Sequence, residues 1–332
     1  MMIPRLEIAP WKYDKDWVYS ITYDEALADL ARYVIPVHEE LGMPGHVEVV
    51  ASQIGEIRNC GASSFNGMRH MNASELRGLI EMGWGVGCHS WSHGMVMDNP
   101  DLELRQARET IEDAIGRSVT VYTAPGSNAN LTPEVLAVLL GYGYLAGVGI
   151  TDDINYSDVP DLLWVNRIPI HERYWGVFDS AFDAHKRIRQ AQLAGGWIVD
   201  YCHCPLEKPM HDYKDVTHQH HRERLETIVS AGGRDCWYAN PDDVVDYRYM
   251  RKHSRLQQTA PGKYTLRIDG LPERVRLRDL SINVEGAGAP EVVAVLVDGA
   301  PVQCAPSGAG VLSFTVEARD GMLIEVRGGQ VR

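Results

Sequence analysis

Short apolar segments alternate with segments of helical periodicity over roughly the first 250 of the 332 residues, and this alternation constrains the fold more than any other feature. The apolar segments are rich in β-branched and aromatic residues, as strands are; they are Val18–Thr22, His46–Val50, Val86–Cys88, Val119–Tyr122, Tyr144–Val148, Leu163–Val165, Trp197–Tyr201 and Asp235–Tyr238. The helical segments are Asp29–Leu41, Asn72–Ile80, Leu102–Ile115, the stretch opened by Thr132-Pro133, Ser180–Leu193 and Arg222–Val229. Such repetition predicts an α/β fold with a parallel sheet or barrel.

The pattern changes at about residue 263. From there the strands alternate without helices and are separated by Asp-Gly and other glycine-rich turns; they are Tyr264–Ile268, Val292–Val297, Val311–Val316 and Met322–Val326. This pattern predicts a small all-β module. The polar stretch Ser254–Gly262 is interpreted as a linker, so the predicted domains are residues 1–254 and residues 263–332.

Composition excludes several classes of partner. The formal net charge of −13 argues against nucleic acid and anionic membranes, since both attract basic surfaces. No apolar run approaches the roughly 20 residues that span a bilayer, and the N-terminus lacks a secretory pattern. Six cysteines in a chain of this length do not make a disulfide scaffold. We therefore expect a cytoplasmic protein, or an exported one if a leader has been removed, and the oligomeric state stays open, with a homo-oligomer among the options.

Polar residues follow three of the predicted strands: Asp24 with Glu25, His89 with His93, and His203. Each has a simpler explanation, since the carboxylates can cap a helix and two histidines four residues apart arise by chance. Taken together they meet the requirements of metal-assisted hydrolysis. Two histidines and one carboxylate hold a metal with a position open for water, while a second carboxylate and a further histidine can act as base and acid.

The order of these motifs resembles the polysaccharide deacetylase family, also called the NodB-homology family or carbohydrate esterase family four. The family's Thr-Phe-Asp-Asp-Gly is matched by Thr22–Ala26, which reads Thr-Tyr-Asp-Glu-Ala, and its His-Ser/Thr-x-x-His is matched in full by His89–His93. Looser matches are Asp200–His203 and Trp237–Tyr247. The resemblance covers roughly residues 15 to 250. It implies a distorted (β/α)7-type barrel, NodB-like, which the small all-β C-terminal domain would follow.

The resemblance also implies a reaction. Asp24 would be the general base, Glu25, His89 and His93 would bind one divalent metal, and His203 would protonate the departing amine. The metal is usually zinc, with Co²⁺, Ni²⁺ or Mn²⁺ as alternatives. The implied activity is removal of acetyl groups from an N-acetylated carbohydrate, with an O-acetylated one as the less favoured substrate.

Two departures from the family pattern stand out. Glu25 replaces the usual aspartate ligand and has a longer arm. The third motif, Arg-x-Pro-Tyr/Phe in the family, reads Thr-Ala-Pro-Gly over residues 123–126, so its arginine is missing and Arg167 is a candidate replacement. Further candidate substrate contacts are Pro125, the Gly126 amide as oxyanion donor, Trp91 as a stacking surface, and His211 over the barrel mouth.

Two alternatives remain. Relatives of the family hydrolyse C–N bonds outside sugars, as allantoinase-like enzymes do, and the altered third motif suits such a change. The other alternative is a catalytically silent carbohydrate-binding protein that has lost its third-motif arginine. The presence of Asp24, His89, His93 and His203 argues against this silent form, since decayed sites tend to lose such residues first.

Overall fold

The structure is a computed structural model that describes residues 5–61, 63–170, 184–210, 215–286, 293–307 and 310–328. Its internal contacts divide the chain into two compact units. One unit is Trp17–Val244, and the other combines Met1–Asp16 with Val245–Arg332. The predicted domain bounds, residues 1–254 and 263–332, remain a prediction. Within the described residues, no helix combines the length and the apolar character that a membrane span requires.

Strands and helices alternate through most of the chain. The strands are β1 Arg5–Ile8, β2 Trp17–Asp24, β3 His46–Val49, β4 Gly85–Cys88, β5 Val121–Thr123, β6 Ala146–Ile150, β7 Asn155–Tyr156, β8 Trp164–Pro169, β9 Gly196–Cys202, β10 Cys236–Tyr238, β11 Ser254–Ala260, β12 Lys263–Ile268, β13 Asp279–Glu285, β14 Val293–Val297, β15 Ala300–Val302, β16 Ala305–Pro306, β17 Val311–Glu317 and β18 Leu323–Gly328. The helices are α1 Leu30–Tyr33, α2 Ile35–Leu41, α3 Ala73–Glu81, α4 Ala107–Ile115, α5 Pro133–Leu139, α6 Ala184–Ala194, α7 His218–Gly232 and α8 Pro241–His253. A π-helix, Asp101–Gln106, runs directly into α4.

Seven parallel strands form a closed barrel in the order β2, β3, β4, β5, β6, β8, β9. Closure comes from pairing of β9 with β2 over the registers from Val18 with Trp197 to Tyr23 with Cys202. Strand β10 pairs with β2 and the short β7 with β9, both outside this ring. The predicted (β/α)7-type barrel is confirmed.

The barrel interior is filled partly by polar side chains. All eight residues of β2 are buried, as expected for a parallel strand covered on both faces. Alternation along the strand places Thr22 and Asp24 on one face. On β4, a Cβ at Gly85 would overlap the His46 ring, and one at Gly87 would overlap the Glu48 carboxylate. The glycines of β4 therefore make room for the large polar residues of β3.

Two antiparallel sheets make up the other unit. Their strand orders are β1-β13-β17-β16 and β11-β12-β18-β14-β15, which confirms the all-β character of the C-terminal part. The interpretation of Ser254–Gly262 as a linker is wrong. Its first seven residues form β11, which pairs with β12 as a hairpin, and Pro261-Gly262 is the turn, with Gly262 at a φ of 69°. A mostly exposed strand lacks the apolar alternation by which strands are recognised.

Candidate active site

The carboxyl ends of the barrel strands surround a cavity of about 400 Å³. This end of a parallel barrel is where sites are built in related architectures. The lining residues come from or directly follow β2, β4, β5, β6, β8 and β9, and also from the loop that follows β3; they include Asp24, Glu25, Arg58, Phe65, His89, His93, Gly126, Arg167, Tyr201 and His203. The predicted base, metal ligands and acid therefore share one cavity.

Asp24, the predicted base, forms a two-point ion pair with Arg167. The guanidinium NH1 lies 2.5 Å from Oδ1 and NH2 lies 3.0 Å from Oδ2. Arg167 also lies over the Tyr201 ring, 4.0 Å from its centroid. Burial raises the pKa of Asp24, but the charge of Arg167, with smaller contributions from His89 and His203, outweighs burial and holds that pKa well below its usual range. The candidate replacement for the third-motif arginine thus lies directly against the carboxylate.

Glu25, His89 and His93 form the group of ligand atoms that the sequence predicted for a metal. One ligand atom from each lies within 4.8 Å of the other two, and His93 Nε2 is 3.4 Å from Glu25 Oε1. His89 Nδ1 donates to the Thr123 carbonyl at 2.9 Å, which turns its Nε2 toward the carboxylates. A set of two imidazole nitrogens and one carboxylate oxygen fits a tetrahedral cation with one open position.

Both histidines of this group are held neutral. Burial lowers the pKa of His89 to about 4, and burial likewise lowers the pKa of His93. Metal ligation requires the deprotonated ring, so neutral imidazoles at pH 7 are ready to bind.

Arg58, which no sequence pattern marked, binds the carboxylate of Glu25 at two points. Its Nε donates to Oε2 at 2.6 Å and its NH2 donates to Oε1. Burial raises the pKa of Glu25, but the hydrogen bond from Arg58, followed by the charges of His93 and His89, lowers it overall. Both residues are about 1% exposed. The first motif therefore ends in two adjacent carboxylates that each have their own arginine.

The loop from Ser90 to His93 is held in an unusual backbone conformation. Ser90 and His93 have positive φ values of 67° and 63°, a region that residues other than glycine rarely adopt. Glu103 stabilises the loop by accepting hydrogen bonds from the backbone N–H groups of Trp91 and Ser92 and from the Ser92 hydroxyl, at 3.1, 3.0 and 2.6 Å. The Ser90 Oγ accepts the N–H of His93 at 3.0 Å. Glu103 is a second functional neighbour that the sequence did not indicate.

His203, the predicted acid, lies between Asp215 and Phe65. Its backbone N–H donates to Asp215 Oδ1 at 3.0 Å, and its Nδ1 is 3.4 Å from the same oxygen. The Phe65 ring stacks on the imidazole with centroids 4.6 Å apart. Burial lowers the pKa of His203, but the charge of Asp215 outweighs it and raises the pKa above its ordinary value. The imidazolium form therefore persists to higher pH than in a free histidine.

The remaining substrate-contact candidates differ in their placement. Gly126 lines the cavity with a φ of 70°, whereas Pro125 is buried beneath it and its carbonyl accepts from Asn130 at 3.0 Å. Trp91 packs, partly buried, against the hydrophobic core and is absent from the described cavity lining, and its role as a stacking surface stays a prediction. His211 lies outside the described residues.

Solved structures with similarity to this chain include several deacetylases. A candidate polysaccharide deacetylase from Mycobacterium smegmatis is 14% identical, with 77% of this chain and 99% of the other covered and a TM-score of 0.47. The Xyl-CE4 domain of a multidomain xylanase from the hindgut metagenome of Trinervitermes trinervoides is 13% identical, with coverages of 69% and 89% and a TM-score of 0.41. The polysaccharide deacetylase Bc1974 from Bacillus cereus is 13% identical, with coverages of 68% and 91% and a TM-score of 0.38.

Comparison with curated protein sequences found no match. The family comparison did find one, over a stretch that contains Asp24, Glu25 and the His89–His93 motif. Residues 12–145 match the model of the polysaccharide deacetylase family, which confirms the resemblance that the motifs predict.

Proposed function

We propose that this protein is a metal-dependent hydrolase that removes acetyl groups from an N-acetylated carbohydrate. The observation that carries the proposal is the gathering in one cavity of an ionised carboxylate, Asp24, a three-atom ligand group and a histidine favoured in its protonated form, His203. Amide hydrolysis needs these three parts, because a water must lose a proton, the carbonyl must be polarised and the amine must gain a proton. The family match over residues 12–145 supports the same reaction class.

Glu25, His89 and His93 would hold the cation, for which zinc is the first choice and Co²⁺, Ni²⁺ or Mn²⁺ are the alternatives. A divalent cation bound there would supply Lewis-acid polarisation of the acetyl carbonyl and would raise the acidity of water.

Asp24 takes the proton from the attacking water. Arg167 keeps this carboxylate ionised and fixes its orientation through two hydrogen bonds. A carboxylate with so low a pKa is a weak base, and weak bases transfer protons efficiently only from acidified water. The ion pair with Arg167 is therefore compatible with a base that acts on water acidified by a bound cation.

His203 gives its proton to the nitrogen of the departing amine. Asp215 raises the pKa of His203, which keeps the ring protonated as the pH rises toward neutrality, and also fixes the direction of the ring. The N–H of Gly126, at the rim of the same cavity, is the proposed donor to the developing oxyanion.

The experiment is measurement of acetate release from N-acetylated monosaccharides and short oligosaccharides, with formation of the ring-opened carboxylate from cyclic ureides measured in parallel. We expect Asp24→Asn to lower acetate release at least about a hundredfold, and the half-buried Asp101→Asn, which is absent from the described cavity lining, to leave it unchanged. Equal rates for Asp24→Asn and wild type would show that the base is misassigned. Turnover of ureides without turnover of acetylated sugars would favour the allantoinase-like alternative. Binding of the sugars with neither product released would favour the silent binding protein.

A further inference from the structure

The site contains one more arginine than the family pattern leads us to expect. The resemblance implies a single arginine that pairs with the base, and Arg167 pairs with Asp24 in that way. Arg58 adds a second, buried positive charge against Glu25. The two carboxylates and two guanidiniums therefore sum to zero charge before any cation binds, where two carboxylates and one arginine would sum to −1.

Arg58 is fixed in place on every side. Besides its two contacts with Glu25, its NH1 donates to Asn66 Oδ1 at 3.1 Å and to the Cys60 carbonyl at 3.4 Å. The side chain is about 1% exposed. With its donors engaged inside the protein, Arg58 is a resident charge rather than an arm that reaches for substrate.

The oxygen that Arg58 NH2 contacts is the oxygen offered to the metal group. Glu25 Oε1 accepts from Arg58 NH2 and lies 3.4 Å from His93 Nε2. A carboxylate oxygen has two lone pairs, so it can serve both neighbours. The guanidinium and a cation would nevertheless share one negative charge at short range, on a carboxylate that is about 1% exposed.

We propose that Arg58 is a positioning residue for Glu25 whose charge weakens and thereby tunes divalent-cation binding at the Glu25–His89–His93 group. The inference rests on the metal site of the proposed function. The two hydrogen bonds from Arg58 orient the side chain of Glu25, which has one more rotatable bond than aspartate. This orientation favours cation binding by only a small factor, because fixing one side chain saves little entropy. Repulsion between a fixed positive charge and a divalent cation is the larger effect, because it is weakly screened in a buried site.

The test is the affinity for Co²⁺, measured by chelator competition and by the visible absorption bands of the bound ion. Arg58→Gln keeps a donor for Glu25 and removes the charge, so we expect binding at least about tenfold tighter than wild type. Arg58→Lys keeps the charge and loses the two-point grip, so we expect an affinity within about threefold of wild type. The matched control is Arg69→Gln, because Arg69 grips Glu75 in the same two-point manner at 2.7 Å but on the surface.

Equal or weaker binding by Arg58→Gln would overturn the proposal, and so would Arg58→Lys binding as tightly as Arg58→Gln. If Arg58→Gln folds only with Co²⁺ present, the cation replaces the guanidinium in neutralising buried Glu25, and the proposal is supported. Failure of the proposed function has a different signature: wild type, Arg58→Gln and Arg58→Lys would all bind no Co²⁺, as Glu25→Gln is expected to do.

Discussion

Two buried histidines on neighbouring strands of the barrel show opposite behaviour. His46, on β3, lies 2.9 Å from Glu48 Oε1 and 3.6 Å from Asp242 Oδ1. Burial lowers its pKa, but the charges of Glu48 and Asp242 outweigh burial and raise the pKa to about 9. His89, after β4, is equally buried, yet its pKa falls to about 4. The same side chain is thus an imidazolium in one place and a neutral metal-ready ring in the other.

The difference lies in what the nearby carboxylates already bind. Near His89, Asp24 is paired with Arg167 and Glu25 is paired with Arg58. Neither carboxylate therefore depends on a protonated histidine for its counter-charge. Beside His46, the ring itself supplies the positive charge to Glu48. Neutral histidines and a cavity beside them therefore distinguish the candidate metal group from the buried His46 cluster.

The largest expected effect is a loss of stability when His46 is substituted, the histidine that is absent from the described cavity lining. His46→Ala leaves Glu48 and Asp242 buried beside a missing charge, and we expect it to lower the free energy of unfolding by about 3–5 kcal/mol. Urea unfolding followed by circular dichroism measures this. His89→Ala is the matched variant: it should cost less stability than His46→Ala while abolishing Co²⁺ binding. The reverse order of stabilities would contradict the comparison.

The pH dependence of stability should separate the same two rings. A folded-state pKa raised to about 9 means that the contribution of His46 is complete below its unfolded pKa of about 6.5 and is lost as the pH rises through 9. We expect the wild type to lose about 3 kcal/mol more than His46→Gln between pH 6 and pH 9.5. Parallel pH profiles for the two proteins would show that His46 is not protonated in the folded state.

Removal of Arg167 should change the pKa of Asp24, which lies beside His89 in the candidate site. Arg167→Met leaves Asp24 buried without its counter-charge, so the pKa of Asp24 should rise and the acid limb of the activity profile should move to higher pH. We expect acetate release at pH 7 to fall about a hundredfold. Arg105→Met serves as control, because the half-buried Arg105 pairs with Asp101 and is absent from the described cavity lining. An unchanged acid limb would separate Arg167 from the ionisation of Asp24.

The smallest effect is expected from a substitution of Glu103, which supports the loop that carries His93. Glu103→Gln keeps one oxygen acceptor for the N–H groups of Trp91 and Ser92 but removes its charge, so the positive-φ loop loses part of its support. A tenfold loss of Co²⁺ affinity, about 1.4 kcal/mol, is expected, with thermal unfolding nearly unchanged. The control is Glu109→Gln, a change at a half-buried residue on α4 that pairs with Arg105, and it should alter neither measurement.

Residues at strand ends could be predicted from sequence because strand periodicity is local and parallel strands bring their ends to one edge. This reasoning grouped Asp24, His89 and His203, which line one cavity in the structure. Arg167 was pointed to by another signal, the missing arginine of the third motif, and it lines the same cavity. Arg58 was missed because it lies in a loop where no period gives direction to a side chain.

Asp215 and Glu103 were missed for a related reason. Asp215 precedes α7 and Glu103 lies in a π-helix, and each reaches its partner only through the tertiary packing of the barrel. The β11–β12 hairpin was taken for a linker because its outer strand is polar on nearly every residue. The strand was missed because its exposed residues lack apolar alternation, and not because the segment lacks structure.

Closure of the barrel by β9 against β2 has a consequence for the order in which the parts of the candidate site form during folding. Glu25 follows β2, and His89 and His93 follow β4, whereas His203 follows β9, the strand that completes the ring. Contacts between such distant positions form late, because the entropy of closing a long loop must be met first. On the proposed function, a chain in which β9 is still unpaired would hold the ligand group but not the proposed proton donor, so we expect cation binding to precede catalytic competence during folding.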